Sequence, residues 1–371
     1  MSQWSSLPPA ASDLEVSVFG PGVGECVVVH LGQNEWMVVD SCVDPATRRP
    51  VALDYLERLG VDVASAVKHV VVTHWHDDHI RGVSRVLEAA TAARFACSAA
   101  LRREEFKLLV AASTEMNMLA GVGSGVDELA ESFRILQRRR SGMRPTSVGP
   151  EWLRADTLLH RRGANAGVGE CEVYALSPSS ATLTRGLHDI AYLLPVVGRP
   201  KRAAVSATPN DTALVLCVRV GSAQVVLGSD LEHGSPGTGW EAVLTTTAKP
   251  VQPVDAFKVP HHGSENAYHV GQWSQLLAAD AVAVLTPFAS GKKPLPTDED
   301  IARLKGHTRH VFVTAQRAGK AAMADPMVQK TIGEVARSFR HRSARMGQVR
   351  VRMRPGDDRP IIELSGAAYA A

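Results

Sequence analysis

From Leu14 onward, short β-branched runs alternate with turn residues: LEVSVF, ECVVVHL and EWMVVDS are separated by GPGVG and GQN, which predicts a β-meander. In PVALDYLERLG the apolar residues Val51, Leu53, Leu56 and Leu59 fall at helical spacing, and Gly60 supplies a stop. KHVVVTH reads as a buried strand, IRGVSRVLEAA as a helix and ARFACSA as a strand. Strand patterns resume at ECEVYALSP, DTALVLCVRVG, AQVVLGSD, DAFKVPHHGS, DAVAVLT and HVFVTA, with helices expected at WEAVLTT and AYHVGQWSQLLAA. Such alternation predicts an α/β architecture.

Three segments depart from it. Residues 1–13 are rich in Ser, Pro and Ala and predict a flexible arm. Over about 101–144 two helical patterns joined by GVGSG predict an insertion of the kind that forms lids or substrate platforms. The remaining stretch, 317–371, predicts a basic helix followed by a hairpin turning at Pro355 to Asp358. On that helix Val328, Ile332, Val335 and Phe339 share a face, with Arg337, Arg340, Arg342 and Arg345 mostly off it.

Composition narrows the class. With 45% hydrophobic and 21% charged residues the chain is neither disordered nor fibrous. The net charge of +3 is too small for the whole surface to attract nucleic acid, so any basic footprint is local. Residues 317–359 hold 11 Lys+Arg against 4 Asp+Glu, a local +7, which leaves −4 for the rest. That asymmetry predicts a tail presented to a polyanion or an acidic protein partner. No apolar run reaches the length of a membrane span and MSQWSSLPPAASDLE shows no secretory signal, so no membrane association and a cytoplasmic location are expected. Cys26, Cys42, Cys97, Cys171 and Cys217 are scattered and odd in number, as expected of reduced thiols packed in strands.

The chemistry concentrates in VVVTHWHDDHIRG, where an apolar strand delivers His74, His76, Asp77, Asp78 and His79 within six positions. Placing so many polar side chains at a strand end is costly unless something binds them, whereas a plain solvated turn favours Gly, Asn and Ser. His74 and His76 suit one cation, and Asp78 with His79 at the next helix suits a second. Imidazole with carboxylate points to Zn, Mn or Fe rather than Ca. GPGVG precedes a strand, not a helix, so a dinucleotide loop fails its context. No G-x-S-x-G elbow occurs.

This stretch resembles the H-x-H-x-D-H signature of the metallo-β-lactamase fold superfamily. Over residues 14–316 the resemblance implies a metallo-β-lactamase αββα sandwich that contains the helical insertion, and it does not extend to the basic C-terminal extension. It implies that Asp40, ending EWMVVDS, supports the site from behind the ligands, that Asp230 in VVLGSD bridges two metals, and that His261 in KVPHHGS is the last ligand. Because adjacent strand residues face opposite ways, only one of His261 and His262 is expected to ligate; His261 is favoured, with His262 as a substrate contact or supporting partner. TPNDTALVLCVRVGSAQVVLGSD with DAFKVPHHGS, and the opening GPGVGECVVVHLGQNEWMVVDSC, resemble the hydrolase domain of DNA-internalisation competence proteins.

Two departures from the superfamily stand out: Asn210 occupies a place where many members have a ligand histidine, and KKPLP follows TPFASG where a His before Pro is common. His160 and His188 are alternative ligands for the missing histidine, and Lys258 is a candidate phosphate contact. His30, His69, His233, His269, His307, His310 and His341 carry no spacing signal.

Two divalent ions, Zn or Mn, would supply hydroxide at neutral pH, with Asp78 orienting it and Asp230 bridging the metals. The leading expectation is therefore a phosphodiesterase or nuclease, its nucleic acid or nucleotide gripped by the tail and by Arg138 to Arg140. Hydrolysis of a lactone, lactam or thioester is the alternative, favoured by a small apolar pocket. A regulatory protein with a weakened site at Asn210 is the third.

Overall fold

The structure is a computed structural model describing residues 7–20, 24–102, 125–141, 149–165, 167–185, 209–289, 294–316, 346–354, 357 and 359–371. Two eight-stranded sheets face each other. In spatial order the first holds β15 (Ile361–Gly366), β14 (Gly347–Met353), β1 (Leu14–Gly20), β2 (Cys26–His30), β3 (Trp36–Val39), β4 (Val67–Val72), β5 (Arg94–Ser98) and β6 (Glu151–Leu153). The second holds β16 (Tyr369–Ala370), β13 (Val311–Val313), β12 (Leu277–Leu285), β11 (Val254–Lys258), β10 (Ala223–Leu227), β9 (Leu216–Val220), β8 (Cys171–Ala175) and β7 (Thr157–Arg162).

Each sheet changes from antiparallel to parallel pairing as the chain proceeds. The meander β1–β2–β3 is antiparallel, and β3 to β6 are parallel because helices cross over between them. β7 to β10 are antiparallel and β10 to β13 parallel. Period-two side-chain alternation divides the apolar residues between layers. Val27, Val29, Met37 and Val39 meet Val218, Val225, Val282 and Val284 between the sheets. Val28, Trp36, Val38 and Phe95 face outward onto Leu56, Val83, Val86 and Leu87 of the helices Val51–Arg58 and Val83–Ala89. Val226, Phe257 and Ala283 pack on Trp240 and Val243 of Gly239–Thr245 and on Ile301 of Asp298–Lys305. Strands buried on both faces read as continuous apolar runs, which is why they were legible in the sequence. The result is a four-layer αββα sandwich.

Three expectations change. The helix expected across AYHVGQWSQLLAA is cut short, since Leu277 already pairs with Val254 as the start of β12. Within the insertion, the helix Gly125–Ser141 is built into the wall: Leu129, Ile135 and Leu136 join the outer core of the first sheet. Glu128 accepts hydrogen bonds from Gly82 N at 2.8 Å and Ser84 Oγ at 2.6 Å. Of the expected grip at Arg138 to Arg140, Arg139 is turned inward while Arg138 and Arg140 stay exposed. Arg138 pairs with Glu131, and Arg139 donates to the carbonyls of Leu87, Ala90 and Ala93.

The tail is the third. Its expected helix, with Arg337, Arg340, Arg342 and Arg345, lies outside the described residues, as does His188. The hairpin strands do not stand apart as an extension: β14 pairs with β1 along its whole length, Leu14 opposite Met353 and Gly20 opposite Gly347. β16 then pairs with β13 in the other sheet. Arg350 and Arg352 are turned inward to the buried Glu15. Among the described residues no helix is long and apolar enough to cross a membrane, and all five cysteines are buried and free.

Two histidines lie neutral in the framework. Burial lowers His30 to about 4, against partial support from Asp13, while its Nδ1 donates to Asp13 O at 2.9 Å and its Nε2 accepts from Asn34 N. Burial, with His160 beside it, lowers His69 to about 3. Because both folded values lie below the unfolded 6.5, the folded state binds fewer protons, and their stabilisation is present above pH 6.5 and lost as pH falls toward 4 and 3. At pH 5 the loss is about 2 kcal/mol for each. NMR titration of the imidazole carbons is expected to place both midpoints below pH 5; midpoints near 6.5 would contradict this.

Candidate metal centre

The site forms where β3, β4, β10 and β11 end on one rim of the sandwich. β3 delivers Asp40, and β4 runs through Thr73 to His74 and His76, after which the turn Asp77–Ile80 presents Asp78 and His79. β10 delivers Asp230, and β11 leads through Pro260 to His261 and His262. Asp40, Ser229, His261 and His262 all adopt left-handed backbone, with φ of 58°, 47°, 45° and 56°. Non-glycine residues held there are strained, and such strain collects where side chains must be aimed.

One atom each from Asp78, His79, Asp230 and His262 lie within 4.8 Å of one another. His79 Nε2 is 3.3 Å from Asp230 Oδ1 and 3.7 Å from Asp78 Oδ2. His262 Nε2 is 3.5 Å from both Asp78 Oδ2 and Asp230 Oδ2. His74 closes the other side, its Nε2 3.1 Å from His76 Nδ1 and its ring centroid 4.3 Å from that of His79. Asp40 lies behind, accepting from Thr73 N at 2.8 Å, Thr73 Oγ1 at 2.7 Å and His79 Nδ1 at 2.8 Å. That bond leaves His79 Nε2 to face the carboxylates.

The electrostatics follow. Burial pushes His79 down, but Asp230, Asp78 and the bond to Asp40 overcome it and hold the imidazole well above its usual range. Burial pushes Asp230 and Asp78 up, and the neighbouring imidazoles more than reverse this. His74, buried beside His79, is pushed well down and stays neutral. The buried atoms His79 Nε2 and Asp230 Oδ1 have no hydrogen-bond partner. Two facing, unsatisfied donors of electron pairs, one imidazole and one carboxylate, fit a divalent cation.

The last-ligand reading is corrected in geometry. His262, not His261, faces Asp78 and Asp230. The alternation that set one histidine against the other applies to extended backbone, and both have left it for a left-handed turn. His261 sits on the rim, with Nδ1 3.0 Å from Asn266 Oδ1 and Nε2 3.3 Å from Asn210 Nδ2. Asn210 also donates to Glu232 at 2.9 Å, and its buried Oδ1 is unpartnered. Lys258 does not face a phosphate: it is 2% exposed and its Nζ lies 2.7 Å from Glu25 Oε1. His160 is remote from the centre, against His69 and Glu35. Thr73, Glu25, Glu232, Asn266 and Thr286, all around the site, went unread in the sequence. An acid opening an apolar strand, ECVVVH, was the available signal for Glu25.

On this rim the αββα sandwich gathers a histidine and aspartate cluster suited to a metal ion. Residues 19–118, which include Asp40 and His74 to His79, match the family described as the Metallo-beta-lactamase superfamily. Among solved structures, metallo-beta-lactamase SMB-1 bound to 2-mercaptoethanesulfonate is similar at 13% identity and TM-score 0.34, covering 73% of this chain and 88% of that one. SMB-1 in complex with mercaptoacetic acid is similar at 15% identity and TM-score 0.30, covering 63% and 68%. No curated protein matches the sequence.

Proposed function

We propose that this metallo-hydrolase cleaves phosphodiester bonds of nucleic acids or nucleotides, in the cytoplasm, with two Zn or Mn ions. The observation that carries the reading is the buried cluster of Asp78, His79, Asp230 and His262 opening onto a polar rim of His76, Asn210, Glu232, His261 and Asn266. A rim of hydrogen-bonding groups suits a solvated, charged substrate better than a lactone, which an apolar pocket would favour. The resemblance of NDTALVL, LGSD and KVPHHGS to competence-type hydrolase domains supports the same substrate class.

In this reading Asp78, His79, Asp230 and His262 would hold one ion, and His74 and His76 would stand ready for a second. Bound there, the ions would supply hydroxide at neutral pH and neutralise charge on the phosphoryl oxygens. Asp40 keeps the His79 proton on Nδ1, and Asn210, His261 and Asn266 offer hydrogen bonds to the substrate at the rim. The protein purified without added metal, then supplied with Mn or Zn, is expected to hydrolyse bis-(p-nitrophenyl) phosphate and at least one of single-stranded DNA, double-stranded DNA and RNA. Cleavage of lactones or β-lactams with no phosphodiester turnover would replace this reading by the alternative one.

A further inference from the structure

We infer that Glu25 is a positioning residue that ties together three of the four groups in the metal cluster. The inference rests on the metal-centre reading above and deepens it. Glu25 immediately precedes β2 at 1% exposure, and its backbone N donates to Asp78 O at 2.8 Å. Its Oε1 is 2.7 Å from Lys258 Nζ, which also donates to Ser229 O at 2.8 Å and lies 3.8 Å from Asp230 Oδ1. Its Oε2 accepts from Thr286 Oγ1 at 2.6 Å. His262 Nδ1 in turn lies 3.0 Å from Thr286 O and 3.1 Å from Thr286 Oγ1.

The hydrogen-bond inventory gives this chain a direction. The Thr286 hydroxyl has one proton and gives it to Glu25, so toward His262 both Thr286 oxygens only accept. His262 Nδ1 therefore carries the hydrogen, and Nε2 turns its lone pair to Asp78 and Asp230. On the other branch, the buried ammonium of Lys258 holds the carbonyl of Ser229, one residue before Asp230, in its left-handed turn. Glu25 thus braces three groups: its carboxylate, through Thr286, reinforces the His262 tautomer that the Thr286 carbonyl also requires and, through Lys258, fixes the backbone before Asp230, while its backbone N–H holds the carbonyl of Asp78. Partners of this kind change metal affinity by about 10- to 100-fold when removed.

Thr286→Val is the first test, because it removes the hydroxyl link while leaving the Glu25–Lys258 pair and the packing volume intact. The second is Glu25→Gln/Lys258→Met, which removes both buried charges together so that neither is stranded. Zn affinity is read by competition with a chromogenic chelator, geometry by the Co(II) visible spectrum, and folding by near-UV circular dichroism. Thr286→Val is expected to weaken Zn binding about tenfold and alter the Co(II) spectrum, with Thr286→Ser restoring both. Should the double variant fail to fold, Thr286→Val decides alone. Folded variants that bind Zn within about threefold of wild type, with an unchanged Co(II) spectrum, would overturn the inference. A wild-type chain that takes up no divalent metal would instead defeat the metal-centre reading itself.

Discussion

His262→Ala is expected to lose divalent metal and to lower hydrolysis by about three orders of magnitude or more, whereas His261→Ala keeps its metal and loses far less. The two residues are neighbours in sequence and opposites in environment. His262 is buried, donates from Nδ1 to Thr286 and directs Nε2 to within 3.5 Å of both Asp78 and Asp230. His261 has both ring nitrogens within hydrogen-bond reach of Asn266 and Asn210, and nothing turns either toward the cluster. Removing His262 leaves three donors for an ion that favours four or more, while removing His261 alters only the rim. Metal analysis beside bis-(p-nitrophenyl) phosphate turnover separates the two. A metal-free His261→Ala beside a metal-replete His262→Ala would reverse the assignment.

Arg352→Met is expected to cost about 3–5 kcal/mol of stability, the usual consequence of stranding a buried charge. Arg352 Nη2 lies 2.6 Å from Glu15 Oε2 and also donates to Leu7 O, while its Nε lies 3.9 Å from Asp13 Oδ2. Glu15 is fully buried in β1 and receives Tyr55 Oη at 2.5 Å on its other oxygen. The link crosses 337 residues of sequence and fastens β14 onto β1. Without Arg352, Glu15 keeps the Tyr55 hydroxyl and the more distant cation of Arg350, 3.7 Å away. Urea unfolding reads the loss, and Glu15→Gln/Arg352→Met is expected to regain much of it because no charge is then left unpaired. Equal midpoints for wild type and Arg352→Met would show that β14 is held by its backbone ladder and apolar contacts alone. The same geometry removes Arg350 and Arg352 from any surface offered to a polyanion.

Much of the architecture was determined by the sequence alone, because it is written in short-range patterns. β1 to β5 and β8 to β13 fall on apolar runs read directly, since doubly covered strands are apolar on both faces. His74, His76, Asp78 and His79 were legible because five polar side chains after VVV are too costly to leave without a ligand. Asp40 and Asp230 were read through the family resemblance, and the structure brings both to the cluster.

What only the tertiary structure decided depends on contacts between distant segments or on backbone that breaks the local period. Left-handed turns at His261 and His262 turn His262, rather than His261, toward Asp78 and Asp230. Lys258 looked like a phosphate contact because nothing near it in the sequence is its partner; Glu25, on another sheet, is. Thr286 and Glu25 are 261 residues apart. The basic strand β14 looked like a solvated appendage, since a charge run reveals its sign and not the buried acids that await it. Periodicity reports which face a side chain takes. Only folding reveals what stands opposite.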